Sequence, residues 1–128
     1  MKEYMMLFRN EQSNGATPPS AEQMQAVMQQ WQSWIRNIAE QGKFGGTARL
    51  QSEGKTVKPG NVITDGPYAE AKEIIGGYLI VKASSLDEAV ELAKSCPGLT
   101  YGGNVEVRSV LAMDGDFQSE KFLAPKNA

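Results

Sequence analysis

The sequence predicts an α+β fold, an antiparallel sheet with two helices on one face, laid out as an interrupted β-α-β-β-α-β chain. Three observations carry this reading. Ser20 and Ser85 each open an apolar-periodic stretch with a capping-box pattern, Ser-x-x-Gln and Ser-x-x-Glu. Around and between those stretches lie short runs rich in Val, Ile, Leu, Tyr and Phe, each bounded by Gly, Pro or Asn. The chain has 128 residues, a length that suits one domain with a single core.

The first strand is predicted over Lys2 to Arg9. Tyr4, Met5, Met6, Leu7 and Phe8 form a continuous apolar run, too short for a helix and suited to a central strand covered on both faces. Asn10 to Ser20 is polar, contains Asn14-Gly15 and Pro18-Pro19, and reads as a loop. The first helix starts at Ser20, whose hydroxyl pairs with Gln23 in the capping box. It stops near Gln41, with Gly42 placed to take the left-handed C′ position. Met24, Val27, Met28, Trp31, Trp34, Ile35 and Ile38 recur at three- and four-residue spacing, so one face is expected to be buried. Such a stripe fits core packing, and two Trp on one helix can also wall a ligand cavity.

Lys43 to Leu50 follows as a second strand, weakened by Gly45-Gly46. Ser52-Glu53-Gly54 is a turn, Thr56-Val57-Lys58 continues, and Pro59-Gly60 interrupts before Asn61-Val62-Ile63-Thr64. Lys43 to Leu50 and this interrupted run are expected to pair as a hairpin of two imperfect strands. Ile74 to Lys82 is the next strand, and its Gly76-Gly77 pair marks a bulge or a close approach by a helix, a subunit or a ligand. The second helix opens with the box Ser85-Leu86-Asp87-Glu88 and carries an inner stripe of Leu86, Ala89, Val90 and Ala93. It ends before Pro97-Gly98. Asn104 to Val110 alternates with period two, presenting Glu106 and Arg108 on a wet face. Residues 1–113 are read as the domain and 114–128 as a C-terminal tail, whose Phe117, Phe122 and Leu123 are apolar enough to support a dimer. Two helices cover only one face of the sheet. The other face also carries apolar residues, so a homodimer is expected.

The densest local signal is Thr64-Asp65-Gly66-Pro67-Tyr68-Ala69-Glu70-Ala71-Lys72-Glu73, which joins turn chemistry to charge just before the most apolar strand. Pro67 fixes its own φ and pushes Gly66 out of the helical region, which leaves Asp65 tethered at the end of the Val62-Ile63-Thr64 run. These ten residues, together with Ile75-Gly76-Gly77-Tyr78-Leu79, resemble the signature of the YCII-related, or DGPF, domain family. The resemblance spans Lys2 to Leu111. It implies a ferredoxin-like unit that pairs sheet to sheet into a dimeric α/β barrel, with Asp65 facing a cleft. Some relatives in the wider family pair an Asp with a His as an acid-base dyad, with dehydrochlorinase- or isomerase-like activity. This chain has no His, so the dyad is not carried over. Proteins of the family are also thought to accompany alternative sigma factors.

Composition narrows the chemistry. With no His, the chain has no Ser-His-Asp or Cys-His arrangement, no His-ligated zinc and no imidazole base. No cofactor is expected, since no metal cluster, phosphate loop or dinucleotide fingerprint appears. The formal net charge of -2, with Lys and Arg scattered, argues against nucleic acid and against an anionic membrane surface. No apolar run approaches the ~20 residues needed to span a bilayer. The five apolar residues after Glu3 are fewer than the ~7 of a signal-peptide core, so a cytoplasmic protein is expected. The single Cys96 agrees with a reducing compartment.

Asp65 is the leading catalytic candidate, and its alternative role is an Asx turn. Gly66, Pro67, Tyr68, Tyr78 and Arg49 are the candidate ligand-binding residues beside it. Glu70, Lys72 and Glu73 read either as charges around the cleft or as a solvated face. Arg9, Arg49 and Arg108 lie on strands and call for carboxylate partners or an anionic ligand. Two classes of function stay open: a small-molecule-binding domain, catalytic or not, and a non-catalytic regulatory or interaction protein.

Overall fold

The computed structural model describes residues 1–9, 20–51, 53–65 and 74–111. They form β1 (Lys2–Arg9), α1 (Ala21–Glu40), β2 (Phe44–Arg49), β3 (Lys55–Lys58), β4 (Val62–Asp65), β5 (Ile75–Ala83), α2 (Leu86–Ala93), a 3-10 turn (Pro97–Tyr101) and β6 (Asn104–Ser109). The main sheet has the order β2-β5-β1-β6, with β1 antiparallel to both β5 and β6, and β2 antiparallel to β5. With β3 and β4 set aside, this is the strand order of a ferredoxin-like β-α-β-β-α-β unit. The predicted α+β class is therefore observed.

The core lies between the sheet and its helices. Alternation along β1 and β5 turns Tyr4, Met6, Leu79, Val81 and Ala83 towards Trp34 and Ile38 of α1 and Ala89 and Ala93 of α2. Met6, Leu79 and Val81 retain no solvent exposure. Phe8, Trp31 and Trp34 meet edge to face, with centroids 5.0 to 6.0 Å apart. The Trp34 indole N–H donates to the Leu92 carbonyl at 3.1 Å, which ties α1 to α2. The tryptophans thus serve the core.

Both helices start where their caps predict. At α1, the Ser20 hydroxyl accepts from the Gln23 N–H and the Gln23 side chain accepts from the Ser20 N–H, so the full box is present. Gly42 takes φ 74° just past the end. At α2, only the first half forms, with the Ser85 hydroxyl accepting from the Glu88 N–H at 3.2 Å. Instead of returning to Ser85, the Glu88 carboxylate accepts from the Ser84 hydroxyl at 2.7 Å and pairs with Lys43 at 3.1 Å. A nearby cation and a hydroxyl outcompete a backbone amide for an ionised acceptor.

Four expectations are corrected. The expected hairpin between Lys43–Leu50 and the following run is absent. Instead β2 pairs with β5, and Pro59-Gly60, read as an interruption, is the turn of a separate two-stranded β3–β4 ribbon. Gly60 at φ 83° and Asn61 at φ 62° reverse the chain there. The apolar stripe of α1 is buried only in its second half, since Met24 and Met28 are 42% and 40% exposed. In α2, Ala89 and Ala93 are buried, while Leu86 and Val90 border an open groove with Leu99, Val105 and Val107. Finally, the glycine pair carries the expected bulge, since the β1–β5 register shifts between Phe8 and Arg9 beside it, but the close approach there is made by a strand and not by a helix, a subunit or a ligand: a Cβ on Gly77 would stand 2.8 Å from the Ala48 carbonyl oxygen of β2.

Candidate functional site

Asp65 is the last residue of β4, and the ribbon's geometry fixes where it points. The register is Lys55 opposite Asp65, Thr56 opposite Thr64, Val57 opposite Ile63 and Lys58 opposite Val62. Opposed residues share a face, so Asp65, Lys55, Val57 and Ile63 lie on one side of the ribbon. The Asp65 carboxylate takes a 2.8 Å ion pair from Lys55 Nζ, and the two side chains are 89% and 66% exposed. A pair so open to water contributes ~0–1 kcal/mol, which leaves the carboxylate readily available to another cation or donor. The alternative Asx role also lacks its usual donor. That turn closes onto the N–H two residues on, and Pro67 has none.

Gly66, Pro67, Tyr68, Glu70, Lys72 and Glu73 lie outside the described residues, as do the tail residues Phe117, Phe122 and Leu123. Tyr78 and Arg49 are placed, and they are on opposite sides of the sheet. Tyr78 stands opposite Leu7 and Ala48, whereas Arg49 stands opposite Gly77, which shares the helix-facing side with Leu79. Tyr78 is half-buried and Arg49 is exposed. No hydrogen bond or ion pair among the described residues joins either to Asp65.

The side of the sheet away from the helices combines apolar and charged groups. Met5, Leu7, Tyr78 and Ile80 are half-buried in its centre. At its β6 edge Glu106 accepts a 2.7 Å bond from Arg9 and lies 3.7 Å from Arg108. The carboxylate partner required by a strand arginine is thus found, one strand away. Lys55 and Glu106 were not singled out as partners from the sequence. Both follow from register: equal spacing about Gly60 places residues 55 and 65 opposite each other, and alternation puts Arg9 and Glu106 on one face.

Cys96 is buried beneath the 3-10 turn, and burial raises its thiol pKa, which keeps it in the unreactive neutral form. No group of three or more Cys, Asp or Glu among the described residues is placed to hold a metal ion. None of the described helices is long and apolar enough to cross a membrane.

The model of the YCII-related domain matches residues 3–114. The chain belongs to the YCII-related domain family. One relative, an uncharacterized protein of Rhizobium meliloti (strain 1021), is 32% identical over 116 residues, covering 82% of this chain and 89% of the relative. Among solved structures, the 5-chloro-2-hydroxyhydroquinone dehydrochlorinase (TftG) from Burkholderia phenoliruptrix AC1100, in complex with 2,5-dihydroxybenzoquinone, aligns with a TM-score of 0.48 at 15% identity. That alignment covers 83% of this chain and 90% of the other.

Proposed function

We propose that this YCII-related protein is a homodimeric small-molecule-binding domain whose site is organised around Asp65. The observation that carries the reading is a carboxylate held at a strand end with an 89% exposed side chain, whose partner Lys55 is itself open to water. A turn-forming aspartate would spend its oxygens on nearby amides, and here the nearest such donor is replaced by proline. A second feature supports the dimer: the sheet has apolar residues on both faces, and the described helices cover one of them. In the absence of any histidine, proton transfer at such a site falls to a carboxylate, a lysine amine such as that of Lys55, or a tyrosine hydroxyl.

The test is thermal-shift screening of the wild type and Asp65→Asn against small polar metabolites. The substitution keeps shape and acceptor oxygen but removes charge, so the fold is retained. Binding weakens by ~1.5–3 kcal/mol if the ligand is held by a charge-assisted bond. A metabolite that stabilises both proteins equally removes Asp65 from the site. A broad panel that stabilises neither turns the balance towards the non-catalytic interaction reading. Light scattering that finds a stable monomer at micromolar concentration removes the homodimer.

A further inference from the structure

In the order β2-β5-β1-β6 the last strand pairs with β1 on one side, and among the described residues nothing pairs with its other side. An edge left open in this way is a template for one more strand. Along the same edge, on the helix side, an open apolar groove runs between β6, α2 and the 3-10 turn, lined by Leu86, Val90, Leu99, Val105 and Val107. Leu86 and Leu99 are 45% and 43% exposed, and the chain leaves β6 through Val110 and Leu111, which are exposed as well. A free edge with an apolar groove beside it suits one extended segment, whose backbone bonds to the edge while alternate side chains enter the groove.

We infer that the C-terminal segment, residues 112–128, folds back on its own chain as a strand antiparallel to β6 and seats Phe122 in this groove. The segment continues directly from Leu111, and Asp114-Gly115 within it is a dipeptide that closes two-residue hairpins, because both central positions of that turn take positive φ. Val107 stands seven residues before Asp114 and Phe122 seven after Gly115, so a reversal there sets the two opposite each other. Opposed residues share a face, and Val107 faces the groove. The same count sets Pro125, which has no N–H for a ladder, opposite Asn104, the first residue of β6. Hydrogen-bond parity agrees. The Val110 N–H donates to the Glu3 carbonyl at 3.1 Å, so even positions of β6 turn their amides to β1 and odd positions turn theirs to the free edge. A two-residue turn at Asp114-Gly115 closes on Met113 and Asp116 as its hydrogen-bonded pair, which uses the odd positions. Lys121 falls opposite Arg108, an unfavourable pairing that Glu106 on the diagonal offsets. A tethered segment meets the groove at an effective concentration on the order of millimolar, above that of any second copy in micromolar solution. The apolar residues expected to support a dimer thus have a seat within one chain, and this packing does not rest on the reading of Asp65.

Disulfide trapping in the full chain tests the register. Arg108→Cys with Lys121→Cys puts two thiols on a closely spaced, non-hydrogen-bonded pair, and Arg108→Cys with Glu120→Cys has nearly the same tether but turns one thiol to the other face. Under mild oxidation the first pair should close within one chain, at a rate independent of protein concentration and roughly tenfold faster than the second. Peptide mapping separates this bond from any that involves buried Cys96. Equal rates for the two pairs would describe a loose tether and overturn the strand. A bond that joins two chains and forms more slowly on dilution would put the segment on a second copy and overturn the inference as stated. Thermal melts test the groove. Phe122→Ala should lower the melting temperature by roughly 3–6 °C, and by less than half as much in a Leu86→Ala background, where the contact is already weakened. A loss of the same size in both backgrounds, or none in either, removes Phe122 from the groove.

Discussion

The four-stranded sheet and the β3–β4 ribbon are both antiparallel, yet they bury their residues in opposite senses. In the sheet, the helix-facing residues of β1 and β5 reach zero exposure at Met6, Leu79 and Val81. In the ribbon no residue is buried, and the apolar pair faces water. The difference separates two tasks. Stability is concentrated where the sheet meets α1 and α2, and the segment that carries Asp65 is left with few local constraints, as binding elements commonly are.

The sharpest way to break this contrast is a core truncation set against a ribbon truncation. Leu79→Ala should cost ~2–5 kcal/mol in urea unfolding, from lost transfer energy plus the cavity left under α1 and α2. Lys58→Ala, on the exposed ribbon, should stay within ~0.5 kcal/mol. Comparable losses at the two sites would mean that the ribbon belongs to the same cooperative core.

Glycines give the next largest effect. Gly77→Ala places a methyl 2.8 Å from the Ala48 carbonyl, a backbone atom that cannot rotate away. Spreading β2 from β5 should cost ~1–3 kcal/mol. At Gly54, just before the ribbon, an added Cβ meets nothing within 4 Å and the backbone is outside the left-handed region. Gly54→Ala should therefore stabilise by ~0.4–1 kcal/mol, through the unfolded chain. Thermal melts of the two variants should move in opposite directions, and a Gly77→Ala protein as stable as wild type would mean that the two strands separate freely.

The same contrast explains what could be read in advance. β1, both helix starts and β6 were legible because caps and period-two or period-3.6 patterns are local. The α+β class follows from their order. The pairing of β2 with β5 was not legible, since it joins residues about thirty positions apart and depends on which edge remains free after β1 is placed. The ribbon was misread for a different reason: Pro59-Gly60 signals an end to a strand and equally a reversal, and only the partner across the turn tells them apart. For the site, the prominence of Asp65 was visible as sequence, but its Lys55 partner and the separation of Tyr78 from Arg49 by the thickness of the sheet are consequences of register.

A smaller effect lies at the junction of β2 and α2. The Ser84 hydroxyl, and then Lys43, lower the Glu88 pKa from its usual 4.5. A carboxyl whose folded pKa is depressed contributes its stability above the unfolded value and loses it as pH falls through the folded one. Melting temperature should therefore drop between pH 4.5 and the more acidic folded value in the wild type, and Glu88→Gln should flatten that part of the profile. An unchanged acid limb would assign the drop to other carboxylates.

The smallest expected effect is also the one that reports most directly on the ribbon. In a double-mutant cycle of Lys55→Met and Asp65→Asn, the coupling in a dilute single chain should be ~0.2–1 kcal/mol, the range for exposed pairs. Both side chains must give up rotamer freedom to meet, and salt screens them over a Debye length of ~8 Å at physiological ionic strength. Raising the ionic strength sharpens the result, because the coupling of a pair this open to water should fall towards zero as the Debye length shortens. A coupling above ~1 kcal/mol that ignores salt would mean that the pair is shielded from water, and that the ribbon is not the open element its exposures describe.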